Sequence, residues 1–373
     1  MVLSICTHPA LDWCAACAFP MSVADPGKKR IISAGKAISD PSTSQADRES
    51  AIEVIGNWRA RHIFPLGIVS TDLQLKCSQI PRTVIAQRLK RLESIEYKLF
   101  RRDSLHSMNL WTMQDIGGCR AILPTLKDVH VIDALYGEGS FLPHRRKDYI
   151  ASPKTSGYRG IHLIVKYQDV EASEYNGIQI EIQLRSRLQH IWATAVETVG
   201  SFTKQSLKAS AGSDRWLRFF ALIGALIAMK EQCTPVPDTP KSMSELIAAL
   251  RPMAVEVRQE IMAFTHTVRH AEDFRKHPES EYYLLTINEA EMSWGVRGYR
   301  RERLEEANRD YSLAEAEGLN AVLVSTRSLE SLWEAYPNYR LDLGNFRRLV
   351  NAISLGHGEE SNFDFDFFGA YMR

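Results

Sequence analysis

The strongest constraint on the fold is the strict alternation of residues 178–185, Ile-Gln-Ile-Glu-Ile-Gln-Leu-Arg. A period of two predicts a β-strand with one buried face, because successive side chains of a strand point to opposite sides of the sheet. The other face carries two amides, a carboxylate and a guanidinium, on Gln179, Gln183, Glu181 and Arg185. Taken alone, this face favours a solvated strand, so its meaning depends on the rest of the chain.

Patterns around this strand predict further strands and several helices. Residues 161–165 predict a second strand, paired with the first across a connection that contains Asn176-Gly177. Apolar residues recur at helical spacing from Leu184 to Val199, so an amphipathic helix should follow the strand directly. Further predicted elements are helices at 44–80, 129–136 and 216–231, a buried strand entered at Asp115, and a loop at 144–160. The predicted fold class is α+β.

Shifts in composition divide the chain into four parts. Residues 1–45, rich in Pro, Ser, Ala and Gly, are predicted to be poorly ordered, and residues 46–234 to form the main domain. Three prolines between 235 and 240 mark a boundary. Residues 241–360, called the C-terminal unit below, are predicted to be helical and then to form a small ββαβα (α/β) fold. Residues 361–373 are predicted to be a flexible tail.

The composition limits the classes of function. With 46 basic and 45 acidic residues the formal net charge is +1, so any anion site must be local rather than global. No stretch approaches 18 consecutive apolar residues, so no membrane span is predicted. The partly apolar N-terminal stretch lacks the basic region of a secretory signal, so no such signal is predicted. Cys77, Cys119 and Cys233 are scattered and read as reduced core thiols, which favours a cytoplasmic protein.

The first residues leave one question open. Cys6, His8, Cys14 and Cys17 could supply four zinc ligands, but their spacing matches no standard zinc finger. Translation that starts at Met21 would remove this cluster altogether.

Cations and hydroxyls in the middle third of the chain predict a polyphosphate site. They fall in two groups: Arg88, Lys90, Ser94 and Lys98, and, on the predicted loop, Lys147, Lys154 and Arg159. Such side chains bind phosphate as point charges or as paired donors. Asp115 and Glu181 are candidate ligands for Mg²⁺, which takes one or two carboxylates besides substrate phosphates. The alternative is a solvated basic face with a structural aspartate, and the spacing does not exclude it.

Four segments of this region carry a resemblance. They are Arg88-Leu-Lys90 with Ser94-Ile95 and Lys98; Asp115-Ile-Gly-Gly-Cys-Arg120; Lys147-Asp-Tyr-Ile with Pro153-Lys154 and Gly157-Tyr158-Arg-Gly-Ile-His162; and Glu181-Ile-Gln183-Leu-Arg185 with Trp192-Ala193 and Glu197. Their order is similar to that of the RelA/SpoT synthetase domain, and the chain resembles a small alarmone synthetase over roughly residues 50–232. The resemblance implies a nucleotidyltransferase-like mixed sheet.

The family moves the β,γ-diphosphate of ATP to a ribose 3′-hydroxyl, so the resemblance implies an ATP-dependent pyrophosphotransferase that acts on GDP or GTP and makes (p)ppGpp. For ATP, the resemblance implies adenine stacking by Arg88 and Arg120, and triphosphate binding by Lys90, Ser94, Lys98 and Lys154. For the reaction, it implies Mg²⁺ binding by Asp115 and Glu181, and removal of the hydroxyl proton by Glu181, supported by Gln183. For the acceptor, it implies stacking of the base on Tyr158, and acceptor or phosphate contacts by His162, Arg185 and Lys147. Independently of the family, diphosphoryl transfer depends mainly on positioning and on neutralising charge, with a base at the attacking oxygen.

Departures from the family pattern leave alternatives open. The family often has Glu-His where this chain has Glu197-Thr198, which puts one acceptor contact in doubt. No histidine is followed by Asp, so the metal-binding pair of the family's hydrolase half is missing and synthesis without hydrolysis is predicted. Tyr336 and Tyr339 fit either a turn anchored by aromatic residues or an inhibitory element. In some fused toxin–antitoxin members, of the CapRel kind, a tyrosine pair covers the ATP site.

The extra C-terminal unit supports a second hypothesis. The protein would be a toxin that modifies the 3′ end of tRNA, with the C-terminal unit as a built-in antitoxin that senses a phage protein. A tRNA binder needs a basic patch, for which Arg145, Arg146, Lys204 and Lys208 are the candidates. A non-enzymatic nucleotide-binding module is a third hypothesis. We expect His190 to lie on a helix surface, and Trp58, Trp192 and Trp216 in the core.

Overall fold

The computed structural model describes residues 25–100, 108–139, 141–205, 207, 211–267, 269–270, 280–288, 290–325, 329–340 and 343–354. The helices are α1 (Lys28–Ser39), α2 (Gln45–Ala60), α3 (Ile63–Cys77), α4 (Leu92–Phe100), α5 (Leu126–Leu135), α6 (Arg187–Thr203), α7 (Asp214–Lys230), α8 (Met243–Thr267), α9 (Leu304–Ala316), α10 (Leu329–Ala335) and α11 (Gly344–Ser354). The strands are β1 (Val84–Leu89), β2 (Gly117–Leu123), β3 (Arg145–Asp148), β4 (Ile161–Lys166), β5 (Gln179–Ser186), β6 (Arg269–His270), β7 (Tyr282–Asn288), β8 (Ser293–Tyr299) and β9 (Asn320–Ser325).

Within the described residues, these strands form one mixed sheet in the order β3-β4-β5-β2-β1-β9-β7-β8-β6. The predicted strand 178–185 is confirmed as β5, which lies between β4, antiparallel to it, and β2, parallel to it. Ile180, Ile182 and Leu184 are fully buried. They join the main core, to which helices α1 to α5 contribute. The α+β fold class is therefore confirmed, and the apolar side of β5 anchors the sheet.

The opposite side of the sheet, called the polar face below, is set by strand register. Arg88 lies opposite Gly118, Gly118 is beside Glu181, and Arg120 is beside Gln183. Partners in register point to the same side of a sheet. The register therefore gathers guanidinium, amide and carboxylate groups from three strands on one surface.

Strands of the C-terminal unit extend this same sheet. The first two strands of the predicted ββαβα unit are present as β7 and β8, which pair antiparallel, and β7 also pairs with β9. Strand β9 then pairs with β1, with Gln87 opposite Ser325 and Arg88 opposite Val324. The sequence did not predict this last pairing, which makes the C-terminal unit a continuation of the main sheet.

Three local expectations need correction. The segment predicted to be poorly ordered contains α1, whose Ile31, Ala34 and Ile38 are buried in the main core. The predicted loop 144–160 contains the edge strand β3. His190 is buried rather than on a helix surface, because the last turn of α10 packs against it.

Four of the remaining helices form a second core. It is built mainly from α6, α7, α8 and α11, and Trp192 and Trp216 lie in it as predicted. Trp58 is buried in the main core, also as predicted. None of the described helices combines the length and the apolar character that crossing a bilayer needs. The cysteine cluster at residues 6–17, Met21 and the tail 361–373 lie outside the described residues.

Candidate nucleotide site

A cavity of about 570 Å³ opens on the polar face. Among the residues predicted for the site, those that line it are Arg88, Lys90, Lys98, Asp115, Arg120, Lys147, Lys154, Tyr158, His162, Glu181, Gln183 and Arg185. Ser94 lies half-buried on α4 and is not part of the lining. Arg159 is also absent from the lining, because it is buried and donates to the Thr234 carbonyl. The structure therefore brings the predicted donor, acceptor and metal groups together, with the exception of the Ser94 hydroxyl and the Arg159 guanidinium.

Asp115 is held between two lysines at one end of the cavity. Its two carboxylate oxygens accept from Lys90 Nζ and Lys98 Nζ, each at 2.9 Å. Burial alone would raise the pKa of Asp115, but the charges and hydrogen bonds of the two lysines outweigh it and hold the pKa far below its ordinary value. Asp115 is therefore ionised, and it binds the two lysine ammonium groups that could otherwise bind phosphate oxygens.

Glu181 sits beside this cluster and is held at both oxygens. His162 Nδ1 lies 2.8 Å from Oε1, and Gln183 Nε2 donates to Oε2 at 2.6 Å. Burial raises the pKa of Glu181, but the hydrogen bonds from His162 and Gln183 lower it further, to below its ordinary value. The carboxylate is thus charged and fixed in orientation at neutral pH.

The two carboxylates fit a magnesium ion that is also held by substrate. Asp115 and Glu181 line the same cavity, and each raises the energy of the other's charge. No group of three or more metal-binding side chains occurs in the described part of the chain. Mg²⁺ is commonly bound by one or two carboxylates with waters and phosphates. Asp115 and Glu181 would hold the ion, which would neutralise phosphate charge when bound.

We call the part of the cavity around Tyr158, the residue predicted to stack on the acceptor base, the acceptor end. It is built by close backbone packing. Tyr158 follows Gly157, which has φ +92° and touches the backbone of α7 at Gly224. A Cβ on Gly224 would lie 2.7 Å from the Gly157 Cα, so neither position accepts a side chain without movement. Trp192 Nε1 donates to the Phe220 carbonyl at 2.8 Å and fixes the same helix. This packing determines where the Tyr158 ring stands.

Lys154 borders the same end of the cavity, and sequence reasoning missed its neighbour Tyr149. The Lys154 ammonium lies 4.7 Å from the Tyr149 ring centroid and 5.3 Å from that of Tyr158. Tyr149 lies in the Lys147-Asp-Tyr segment, which was the available signal. Two aromatic rings and a cation at this end can hold a base and a phosphate.

Tyr336 and Tyr339 cover the other end. The Arg120 guanidinium lies 5.0 Å from the Tyr336 ring centroid, and both tyrosines are almost fully buried. Burial alone lowers the pKa of Arg88, and the nearby phenols of Tyr339 and Tyr336 raise it more. The tyrosine pair therefore lies against both arginines predicted to hold adenine. We call residues 329–340, which carry the pair, the cover.

The cover is fixed by contacts that sequence reasoning missed. His190 Nε2 lies 2.9 Å from the Glu334 carbonyl, and Arg120 Nη1 donates weakly to the Ala335 carbonyl at 3.5 Å. Burial and the charges of Arg120 and Arg185 push the pKa of His190 well below its ordinary value, so the ring is neutral. No local pattern could reveal a contact between a helix and a segment so distant in sequence.

The basic patch considered for tRNA is already partly paired. Arg146 bonds to Asp133 at 2.6 Å and to Asp148 at 3.0 Å, and Arg145 donates to Gln114 at 3.1 Å. Lys204 ends α6 in the left-handed conformation, and Lys208 lies outside the described residues. These charges therefore make a weaker surface for a phosphate backbone than their number suggests.

A cavity of cations and two carboxylates on a mixed sheet has the chemistry to hold a polyphosphate beside a second ligand. Residues 87–204 match the family model described as "Region found in RelA / SpoT proteins". Residues 87–204 are therefore similar to the region shared by RelA/SpoT proteins, in agreement with the resemblance that the motifs carry.

Two relatives from Bacillus subtilis match part of this chain. One is named GTP pyrophosphokinase YjbM and is 35% identical over 115 residues, which is 31% of this chain and 54% of the relative. The other, GTP pyrophosphokinase YwaC, is 29% identical over 130 residues, or 34% of this chain and 62% of the relative. The chain thus spans little more than half of the first and under two thirds of the second.

Solved structures show partial likeness. A GTP pyrophosphokinase family protein from Streptococcus pneumoniae aligns with a TM-score of 0.39 and 24% identity, over 47% of this chain and 88% of that chain. Small alarmone synthetase 1 from Bacillus subtilis, bound to its product pppGpp, aligns with a TM-score of 0.37 and 26% identity, over 46% of this chain and 92% of that chain.

Proposed function

We propose that this protein transfers the β,γ-diphosphate of ATP to the 3′-hydroxyl of GDP or GTP, makes (p)ppGpp, and has no hydrolase activity. The observation that carries the proposal is the placement of Lys90, Lys98 and Asp115 beside Glu181 in one cavity. Cations there can hold a triphosphate, and a fixed carboxylate can take the proton of the attacking hydroxyl. The names of the partial relatives support the same reaction.

Each group has a part in this reaction that follows from its position. The triphosphate would take Lys90 and Lys98 away from Asp115, which would leave that carboxylate to the magnesium ion. Lys154 would neutralise transferring phosphate, and Tyr158 would stack on the acceptor base. Glu181 would accept the proton of the 3′-hydroxyl as the oxygen attacks the β-phosphorus and AMP leaves.

We further propose that the cover restrains the enzyme in the described state. If Arg88 and Arg120 stack on adenine, Tyr336 occupies that place, since its ring lies over Arg120. The cavity that remains is lined by Tyr158, Lys147 and Lys154, so the acceptor end stays open. The described state would therefore accept the acceptor nucleotide before ATP.

A toxin that modifies the 3′ end of tRNA is the second candidate, because an inhibitory cover suits a toxin fused to its antitoxin. The paired state of Arg146 counts against it. Release of the cover by a phage protein is part of this candidate only.

The deciding experiment incubates full-length protein and the Tyr336→Ala/Tyr339→Ala variant with γ-labelled ATP and GDP, GTP or bulk tRNA. We expect label in the guanine nucleotides, more of it with the variant, and none with Asp115→Ala or Glu181→Gln. Label in tRNA alone would establish the second candidate. Unchanged transfer by Asp115→Ala or Glu181→Gln would refute the site assignment.

A further inference from the structure

Five side chains of the polar face close into a ring of hydrogen bonds around the acceptor end of the cavity. The bonds join Arg185 Nη2 to Tyr158 Oη at 2.8 Å, Tyr158 Oη to His162 Nε2, His162 Nδ1 to Glu181 Oε1 at 2.8 Å, Glu181 Oε2 to Gln183 Nε2 at 2.6 Å, and Gln183 Oε1 to Arg185 Nη2 at 3.1 Å.

For a neutral His162 ring, the chemistry of Arg185 and Glu181 fixes the direction of every bond. Arg185 can only donate, and the ionised Glu181 can only accept. Arg185 therefore donates to the carbonyl oxygen of Gln183, whose amide nitrogen donates to Glu181. Along the other arm, Arg185 donates to the oxygen of Tyr158, which leaves the phenolic proton for the next partner. Both arms run from the guanidinium to the carboxylate.

The tautomer of His162 follows from this direction. Burial raises the pKa of Tyr158, so the phenol keeps its proton at neutral pH and donates it to His162 Nε2. A nitrogen that accepts carries no hydrogen, so in the neutral ring the proton is on Nδ1 and points to Glu181. The network thus leaves one consistent assignment of protons.

We propose that Arg185 and His162 are positioning residues for Glu181, and that Tyr158 links stacking of the acceptor base to the orientation of that carboxylate. This inference rests on the proposed function. It changes the roles of Arg185 and His162, to which the resemblance gave acceptor or phosphate contacts. Arg185 is only 5% exposed and its guanidinium lies 5.2 Å from the Tyr158 ring centroid, which suits a buried positioning residue. Each oxygen of Glu181 carries one hydrogen bond from the ring and keeps lone pairs for the acceptor hydroxyl and the metal ion.

The ring is tested first without any reaction. Histidine-selective ¹⁵N labelling of the full chain, with His162 assigned by its loss in His162→Asn, reports which ring nitrogen carries the proton at pH 8. We expect the Nδ1–H tautomer, and a shifted Nε2 resonance in Tyr158→Phe, which removes one hydroxyl and keeps the ring. An Nε2–H tautomer in the wild type would overturn the proposal whether or not the protein is an enzyme.

Kinetics then separates positioning from phosphate binding. Tyr158→Phe keeps the stacking surface, so we expect kcat to fall about tenfold or more while KM for the acceptor changes less than about twofold. Arg185→Lys keeps the charge, but the shorter lysine side chain ends before the position of Nη2, the nitrogen that donates both bonds, so it should behave in the same way. A rise in acceptor KM with unchanged kcat in Arg185→Lys would show phosphate binding and refute the positioning role of Arg185.

A conservative pair of variants completes the test. The side-chain amide of asparagine can replace the Nδ1 donor of histidine, so His162→Asn should retain at least about tenfold more kcat than His162→Ala. Equal loss in the two variants would contradict an orienting hydrogen bond. Failure of the wild type to transfer phosphate would refute the proposed function and leave the tautomer measurement to decide on the ring.

Discussion

Tyr336 lies with its ring centroid 5.0 Å from the guanidinium of Arg120, although the two residues are far apart in the sequence. The ring is 1% exposed, and its hydroxyl has no hydrogen-bond partner within the described residues. The contact is therefore one between a cation and an aromatic face, a kind that contributes about 0.5 to 2 kcal/mol. It places a protein side chain where the proposed function places adenine.

The first prediction concerns this contact. Tyr336→Ala should strengthen binding of a non-hydrolysable ATP analogue by about tenfold, because about 1.4 kcal/mol of competing contact is removed. Tyr336→Phe is the matched control and should leave binding near the wild-type value, since the hydroxyl makes no bond. Calorimetric titration measures both, and equal affinity in all three proteins would refute competition by the cover. Binding of a fluorescent GDP should be the same in each.

The second prediction concerns the anchor of the C-terminal unit. Glu315 accepts from Arg59 at 2.9 Å, from Tyr311 at 2.6 Å and from the Leu92 backbone N–H at 3.0 Å. Removal of one partner of a buried ion pair costs about 3 to 5 kcal/mol, so Glu315→Ala should loosen β9 and the cover from the main domain. Hydrogen exchange of residues 320–340 should rise. Glu317→Ala, at the exposed C-terminal end of the same helix, should leave that exchange unchanged.

The third prediction concerns the packing under Tyr158. A Cβ on Gly224 would come within 3 Å of the Gly157 backbone, so Gly224→Ala should displace the loop and raise KM for the acceptor by about tenfold. Gly56 lies on α2 with open space around it, so Gly56→Ala should stabilise the protein by about 0.5 to 1 kcal/mol and leave KM unchanged. Steady-state kinetics and urea unfolding measure the pair. An unaltered acceptor KM in Gly224→Ala would show that the loop is not positioned by this contact.

The fourth prediction concerns acid stability. Burial lowers the pKa of His62 from 6.5 to about 4, and its Nδ1 lies 2.8 Å from the Trp58 carbonyl. The unfolded chain therefore binds more protons than the folded one between these values, so stability falls as pH drops through that window. The slope from this residue is at most about 1.4 kcal/mol per pH unit.

Urea unfolding at pH 7 and pH 5 checks the effect. His62→Asn can keep the bond to the Trp58 carbonyl but does not titrate, so its midpoint should fall less between the two pH values than that of the wild type. His190, whose pKa is also lowered, contributes to both proteins equally and cancels in the comparison. An equal fall in the two proteins would refute the role of His62.

Local patterns were enough to predict most of the main sheet and most of the cavity. The alternation at 178–185 places Glu181 opposite a buried aliphatic row, because a strand turns successive residues to opposite sides. Phosphate binding by the cations around Arg88 and on the loop before β4 could be predicted from their residue types alone. By contrast, Ser94 lies on α4 one turn before Lys98 but is not part of the cavity lining, which its residue type could not reveal.

The sequence by itself determined which residues could carry polyphosphate chemistry and which strand would present them. Only the tertiary structure decided that β9 pairs with β1, that Tyr336 covers Arg120 and that His190 is buried under the cover. Periodicity is a property of a few neighbouring residues. Pairing of two strand edges and burial of a helix face depend on surfaces from distant segments that fit each other, and no short window of sequence contains both surfaces.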